Sequence, residues 1–304
     1  MKHRLIRRAT IAALAIVLAA GTSAKAQLPQ FLSDSAKISV MTLGPSQSDV
    51  YLAFGHSAIR VVDYKLGSDI VFNYGVFNFN QPNFYLNFAK GKLLYKLGAA
   101  YYKDFKESYI EENRFIVEQE LDLTPEEKQA YYNFLYVNYK PENRDYYYNY
   151  VYDNCATRIR DGLEKVFPDR ISFNYPYVTS DMTFRNLMDL YLGRQPWGDL
   201  GIDLCLGSGI DNVVTGYEYM FLPDYVEKAF DLATFSRGDT QVPLVRDKEY
   251  VFVPVDTTAE GGLWLTPTVM FILIFLVTGF STNQELKMGI RRRWIDFLVF
   301  FVAG

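Results

Sequence analysis

Residues 149–162 read NYVYDNCATRIRDG, and the change of pattern inside this stretch decides how the chain folds. A short aromatic run stops at Asp153 and Asn154, Cys155 follows, and an amphipathic helix starts there. From Cys155 to about Phe167, Ile159, Leu163 and Val166 share one helical face, while Arg158, Asp161, Glu164 and Lys165 lie largely off it. Pro168 ends the helix. Cys155 stands one helical step before Ile159 and is therefore expected to point into the domain. A cysteine at a helix N-terminus faces unpaired backbone N–H groups and the positive end of the helix dipole, which favours thiolate over thiol.

A thiolate nucleophile needs an imidazole to take and return its proton, and a polar group to orient that imidazole. The chain has two histidines, one in the basic N-terminal run and the other, His56, in FGHSAIRV (54–61), which reads as a strand. Cys155 and His56 are therefore expected to meet and to perform acyl transfer. Asn73, on the next strand, is the candidate third group, with Tyr74 after it. Backbone N–H groups at the helix start, that of Cys155 included, would hold an oxyanion. Asn154 is a further candidate there, although its plainer role is to end the aromatic run or cap the helix. Two blander alternatives stand beside this reading. His56 could be a histidine with satisfied hydrogen bonds, and Cys155 could be bridged to Cys205, the other cysteine, in an oxidising compartment. Against the bridge, Cys205 lies in DLCLG, an apolar setting that suits a buried, inert thiol.

Working outward, Lys37 to Leu43 reads as a strand and Gly44-Pro45-Ser46 as a turn. Tyr51 to Phe54, Ala58 to Val62 and Asp69 to Tyr74 look like adjacent antiparallel strands, and Arg114 to Leu121 alternates as another. TPEEKQAYYNFLYV (124–137) opens with a capping Thr, Pro at N1 and Glu at N3, so a helix follows. A helix from Ser180 to Leu192 with a Ser cap, a Gly- and Asp-rich loop from Gly193 to Gly216, a helix from Leu222 to Ala233 and a strand from Glu249 to Val255 complete the pattern. The fold class is α+β: an antiparallel sheet with helices packed on it, the cysteine helix crossing near the histidine strand.

The ends place this domain outside the cytoplasm. MKHRLIRRAT is basic, Ile11 to Ala20 is apolar, and Ala24-Lys25-Ala26 offers a cleavage site, so residues 1–26 read as a secretory signal peptide. LWLTPTVMFILIFLVTGF (263–280) carries no charge and is long enough to span a bilayer, and Lys287 with Arg291, Arg292 and Arg293 puts the loop 281–293 on the cytoplasmic side. A second apolar segment, 294–304, is too short to cross, so a longer natural protein is expected. The domain between, 27–262, faces the periplasm. With 304 residues, 49% hydrophobic content and a net charge of -4, the chain can bury a sizeable core and shows nothing that suits nucleic acid.

Asp199, Asp203 and Asp211 lie close in sequence, but their spacing is not that of an EF-hand, and turn chemistry explains them. No metal and no cofactor is expected. Among 24 Tyr and 23 Phe, Phe77, Phe79, Phe84, Tyr85, Phe88 and Tyr95 with Lys90, Lys92 and Lys96 would suit either core packing or a membrane-interfacial surface.

The order of a histidine on an early strand and a later Asn-Cys at a helix start resembles the circularly permuted NlpC/P60 superfamily, which includes lecithin-retinol acyltransferase. FGHSAIRV, VFNYGVFNF, YNYVYDNCATRIRDGLE and MFLPD together are similar to the periplasmic domain of the Lnb-type lipoprotein N-acyltransferases, over roughly residues 35 to 235. The resemblance implies a permuted papain-like, NlpC/P60-like domain followed by membrane helices, with His56 as base and Cys155 as nucleophile. It implies a phospholipid acyl donor and a diacylated lipoprotein acceptor, both held in the inner membrane, with the catalytic domain in the periplasm. Lnb-like proteins carry several spans, and this chain stops in its second. Two other classes remain open: a cysteine hydrolase of the same superfamily cutting peptidoglycan peptides or lipid esters, and a non-catalytic binding module stabilised by a Cys155–Cys205 bridge.

Overall fold

Every residue of β1 (Lys37–Leu43) after Lys37 is buried, as a strand covered on both faces requires. A computed structural model gives the architecture around it, describing residues 28–77, 94–255 and 264–290 with positions 293, 294, 297, 300 and 301. The expected signal peptide, the aromatic and lysine positions between 78 and 93, Arg291, Arg292 and most of the second apolar segment lie outside the described residues. The chain forms two units. The first holds the residues up to Ser46, Phe54–Thr179 and Thr215–Val255; the second holds Gln47–Ala53, Ser180–Val214 and the residues from Asp256 on.

The first unit is built on a seven-stranded antiparallel sheet. Besides β1 it contains β2 (His56–Asp63), β3 (Ser68–Phe77), β4 (Leu94–Tyr101), β5 (Ile116–Leu121), β6 (Asp145–Tyr147) and β10 (Val245–Phe252). Their spatial order is β10-β5-β1-β2-β3-β4-β6. A second, three-stranded sheet joins β7 (Ile171–Ser172), β8 (Thr234–Arg237) and β9 (Thr240–Pro243). The side chains of the large sheet alternate between two apolar layers. On one face Ile38, Val40, Ile59, Val61, Phe72 and Tyr74 pack against three helices: α2 (Pro125–Tyr139), α3 (Cys155–Val166) and α6 (Pro223–Asp231). On the other, Met41, Leu43, Ala58, Val71 and Ile116 meet Tyr102 and Phe105 of α1 (Tyr102–Glu111). The antiparallel sheet with packed helices is the α+β pattern expected from the sequence. Helix α2 begins at the expected place, where Thr124 and Glu127 form a reciprocal capping box and Pro125 occupies N1.

Three expectations fail in the second unit. Tyr51 to Phe54 is not a strand: Val50–Leu52 form a single 3₁₀ turn, too short an apolar stretch after the polar run Ser46 to Asp49 to make a ladder. The helix expected from Ser180 is α4 (Phe184–Leu192), because Thr183 and Asn186 form a capping box and set the start three residues later. The Gly- and Asp-rich loop contains a helix, α5 (Pro196–Leu206), with Pro at N1 and Asp199 in its first turn. Its Gly198 reflects close packing rather than disorder, since a Cβ there would lie 2.6 Å from Val50 Cγ2. The apolar C-terminal segment is helical as expected but is displaced to α7 (Pro267–Met288), from a Thr266 cap to a left-handed Gly289. Its 22 residues make it the one described helix long and apolar enough to cross a membrane; its length is about 33 Å. Phe275 is 74% exposed and Val277 66%, which suits a helix whose surroundings are lipid.

Candidate active site

The loop before Cys155 is held at both ends. Asn149 and Asp153 exchange backbone hydrogen bonds of 3.0 and 3.1 Å, and Asn149 Oδ1 accepts from the N–H groups of Val151 and Tyr152. Asp153 receives two hydrogen bonds from Arg158, at 2.5 and 2.8 Å, whose guanidinium lies 3.5 Å from the Tyr146 ring centroid. Asn154 then caps α3. Its Oδ1 accepts from Ala156 N and Thr157 N at 2.9 and 3.0 Å, and Thr157 Oγ1 accepts from Asn154 N at 2.8 Å. The two amide hydrogens of Asn154 go to the carbonyls of Tyr150 and Phe221. No donor is left for an oxyanion, so Asn154 is a positioning residue and the oxyanion role considered for it fails. What it positions is Cys155, at N1, where the backbone N–H has no acceptor within the helix.

His56 opens β2 at the end of the sheet. Gly55 before it has φ +73°, and a Cβ there would sit 2.7 Å from the Leu43 carbonyl oxygen, so only glycine fits this approach. In β2 and β3, Ile59 pairs with Phe72, which places Asn73 diagonally from His56 on the same face. Asn73 Oδ1 lies 2.6 Å from His56 Nε2. Tyr74, the other candidate, alternates to the opposite face and joins the helix-side core. Gly75 has φ +88°, and a Cβ there would lie 3.7 Å from Tyr148 Cε2 and 4.0 Å from His56 Cε1.

The structure thus brings Cys155, His56 and Asn73 together, and a hydrogen bond joins the Cys155 thiol to the imidazole. With Nε2 engaged by Asn73, Nδ1 is the nitrogen left for sulfur. Because Asn73 presents a carbonyl oxygen, it favours the tautomer protonated at Nε2, leaving Nδ1 free to accept the thiol proton. Burial alone would push the Cys155 pKa up; the facing His56 and the N–H groups of Ser57 and Ala156 outweigh it and bring it below the ordinary thiol value. Burial likewise opposes the imidazolium, yet the thiolate and Asn73 carry the His56 pKa above its ordinary value. The arrangement stabilises a thiolate–imidazolium pair, able to attack a carbonyl carbon and then protonate the leaving group.

Both cysteines are free thiols. The bridge considered from the sequence is absent, and Cys205 is exposed rather than buried, because it lies on a helix with no buried residue. The acidic residues regroup: Asp199 and Asp203 cluster with Asp189, with oxygens within 4.8 Å of one another, the one such group among the described residues. Asp211 instead pairs with Arg185 at 2.6 Å, and Arg185 also contacts Asp203. Burial, then Asp199, pushes the Asp189 pKa up to about 6, and the Arg185 guanidinium offsets part of the cluster's charge. Of the interfacial aromatics, Phe77 and Tyr95 are half-buried and in ring contact at 4.9 Å. The sequence reading missed Tyr148, which like His56 approaches Gly75, and Arg114, treated only as the start of a strand.

The buried Cys155 thiol with the half-buried His56 and Asn73 side chains forms a candidate activated-cysteine site on an antiparallel sheet. The chain belongs to the Lnb N-terminal periplasmic domain family, whose model matches residues 24–189. His56, Asn73, Asn154 and Cys155 all fall within that match. No curated protein and no solved structure matches the chain.

Proposed function

We propose that this protein is a membrane-anchored acyltransferase that moves an acyl chain from a phospholipid, through a Cys155 thioester, to the α-amine of a lipoprotein N-terminal cysteine. The observation that carries it is the Cys155–His56–Asn73 relay, with the thiol at the first position of a capped helix. Cys155 attacks the ester carbonyl, the ester C–O bond breaks, and His56 gives its proton to the departing lysophospholipid. The amine then attacks the thioester, His56 takes its proton, and the thiolate leaves. Passage from thioester to amide is downhill, so no nucleotide is required.

The family's periplasmic description and the membrane-length helix support a site working on lipid at the outer face of the inner membrane. Moving an acyl chain within the bilayer avoids a cost of ~0.8 kcal/mol for each CH₂ exposed to water. The permuted papain-like relationship is part of this proposal, supported by the order of histidine strand and cysteine helix and by the N1 placement of the thiol. The test is the intact mass of the full chain incubated with phospholipid. A hydroxylamine-labile gain of one acyl chain, absent from Cys155→Ala, is expected; resolution by an added diacylated peptide rather than by water separates transferase from hydrolase. A wild-type protein that never gains the acyl mass would overturn the reading.

A further inference from the structure

Arg114 is 4% exposed and lies two residues before β5. Leu43 pairs with both Ile116 and His56, so these three form one row at the end of the sheet. Arg114, two residues beyond Ile116, continues the same face past that row. Its Nε donates to the Gly44 carbonyl at 2.7 Å, Nη1 donates to Glu112 at 2.9 Å, and its guanidinium carbon sits 4.4 Å from the Tyr109 ring centroid. The third nitrogen, Nη2, is buried and has no hydrogen-bond partner among the described residues. Its charge acts on His56, opposing the imidazolium. Glu112 pairs with one edge of this fixed guanidinium, and the enclosed Nη2 still lacks an acceptor among the described residues; an unmade hydrogen bond from a charged group is costly, so a second acceptor is called for there. Planar guanidinium is also the side chain best matched to phosphate.

Building on the proposed acyl transfer, we propose that Arg114 anchors the phosphodiester of the phospholipid donor through Nη2, and so selects phosphate-bearing esters. The phosphate belongs to the donor and leaves with the lysophospholipid, while the accepting amine carries none. The Arg114–phosphate contact therefore serves the first half-reaction and not the second. It touches the substrate away from the bond that breaks, so the thioester step keeps the atom balance given above.

The experiment uses the full chain in detergent, measuring Cys155 acylation by intact mass at varied donor concentration. Phosphatidylethanolamine and diacylglycerol, which carries the same esters without phosphate, are the donors. Arg114→Gln is expected to raise the half-saturating phosphatidylethanolamine concentration at least tenfold and to change diacylglycerol use by less than twofold. Arg114→Lys keeps the charge without the fork and should fall between; it decides the matter if the Gln variant does not fold. The acyl-enzyme of either variant should pass its chain to a diacylated peptide at the wild-type rate. Equal losses with both donors, or slowed transfer to the peptide, would mean that Arg114 tunes His56 and would overturn the anchor. Binding of phosphatidylethanolamine to Cys155→Ala, with and without Arg114→Gln, reads the anchor without chemistry. A wild-type chain that forms no thioester while this binding still depends on Arg114 would sink the acyl-transfer reading and leave the anchor standing; binding independent of Arg114 sinks the anchor.

Discussion

Cys155 and Cys205 are the same side chain in two settings, one in each unit. Cys155 is 7% exposed, occupies N1 of a capped helix and hydrogen-bonds to a histidine. Cys205 stands near the C-terminal end of α5, with its side chain exposed and no helix-start N–H groups to meet. The difference teaches that thiol chemistry comes from the element position and the partner rather than from the residue. Exposure by itself makes a thiol accessible; only the helix start and the imidazole make it a thiolate.

The comparison breaks most directly by removing each thiol. Cys155→Ala is expected to abolish acyl adduct formation, whereas Cys205→Ala leaves it intact, both read by intact mass. Next in size, His56→Gln should slow adduct formation by about 10²- to 10⁴-fold, the ordinary contribution of a general base; a loss below tenfold would detach His56 from the chemistry. Asn73→Ala removes the group that fixes the tautomer and should cost on the order of 10- to 100-fold, less than the base itself.

Alkylation across pH sharpens the comparison without a substrate. The Cys155 pKa lies below the ordinary thiol value, so its iodoacetamide reaction should persist to lower pH than that of a free cysteine in a model peptide. In His56→Gln the acid-side limb should move up past the ordinary thiol range, because burial is then the dominant influence left. An unchanged profile would mean that the imidazole does not face the sulfur. The smallest effect concerns the cap. Asn154→Ala should lower stability by about 1–2 kcal/mol, as lost N-caps do, measured by denaturant unfolding, and should also slow Cys155 alkylation. Thr183→Ala, in the capping box of α4, carries a similar stability cost of about 1 kcal/mol and should leave Cys155 alkylation unchanged.

Legibility differed along the chain for physical reasons. Elements whose signals are local were readable. Thr124, Pro125 and Glu127 announce α2, the apolar, β-branched runs within Lys37 to Leu43 and Ala58 to Val62 announce strands, and the spacing of Cys155, Ile159 and Leu163 announces the buried face of α3. The second unit was harder. Its glycines read as loop punctuation, yet Gly198 lies inside a helix because Val50, far away in sequence, packs where a Cβ would be. Thr183 outcompeted Ser180 as cap through Asn186, a weaker box residue than the usual Glu or Gln.

By itself the sequence determined which groups could do the chemistry: a cysteine placed at a helix start by the Asn154 cap, and a histidine on an early strand beyond the basic leader. It determined these because capping and periodicity depend on neighbours a few residues apart. Tertiary structure alone decided that Asn73 rather than Tyr74 faces His56, that one amide hydrogen of Asn154 goes to the distant Phe221 carbonyl, and that Arg114 keeps one nitrogen without a partner among the described residues near the pair. Each of these depends on strand register or on contacts across long stretches of chain, and a one-residue shift in β3 would have exchanged Asn73 for Tyr74.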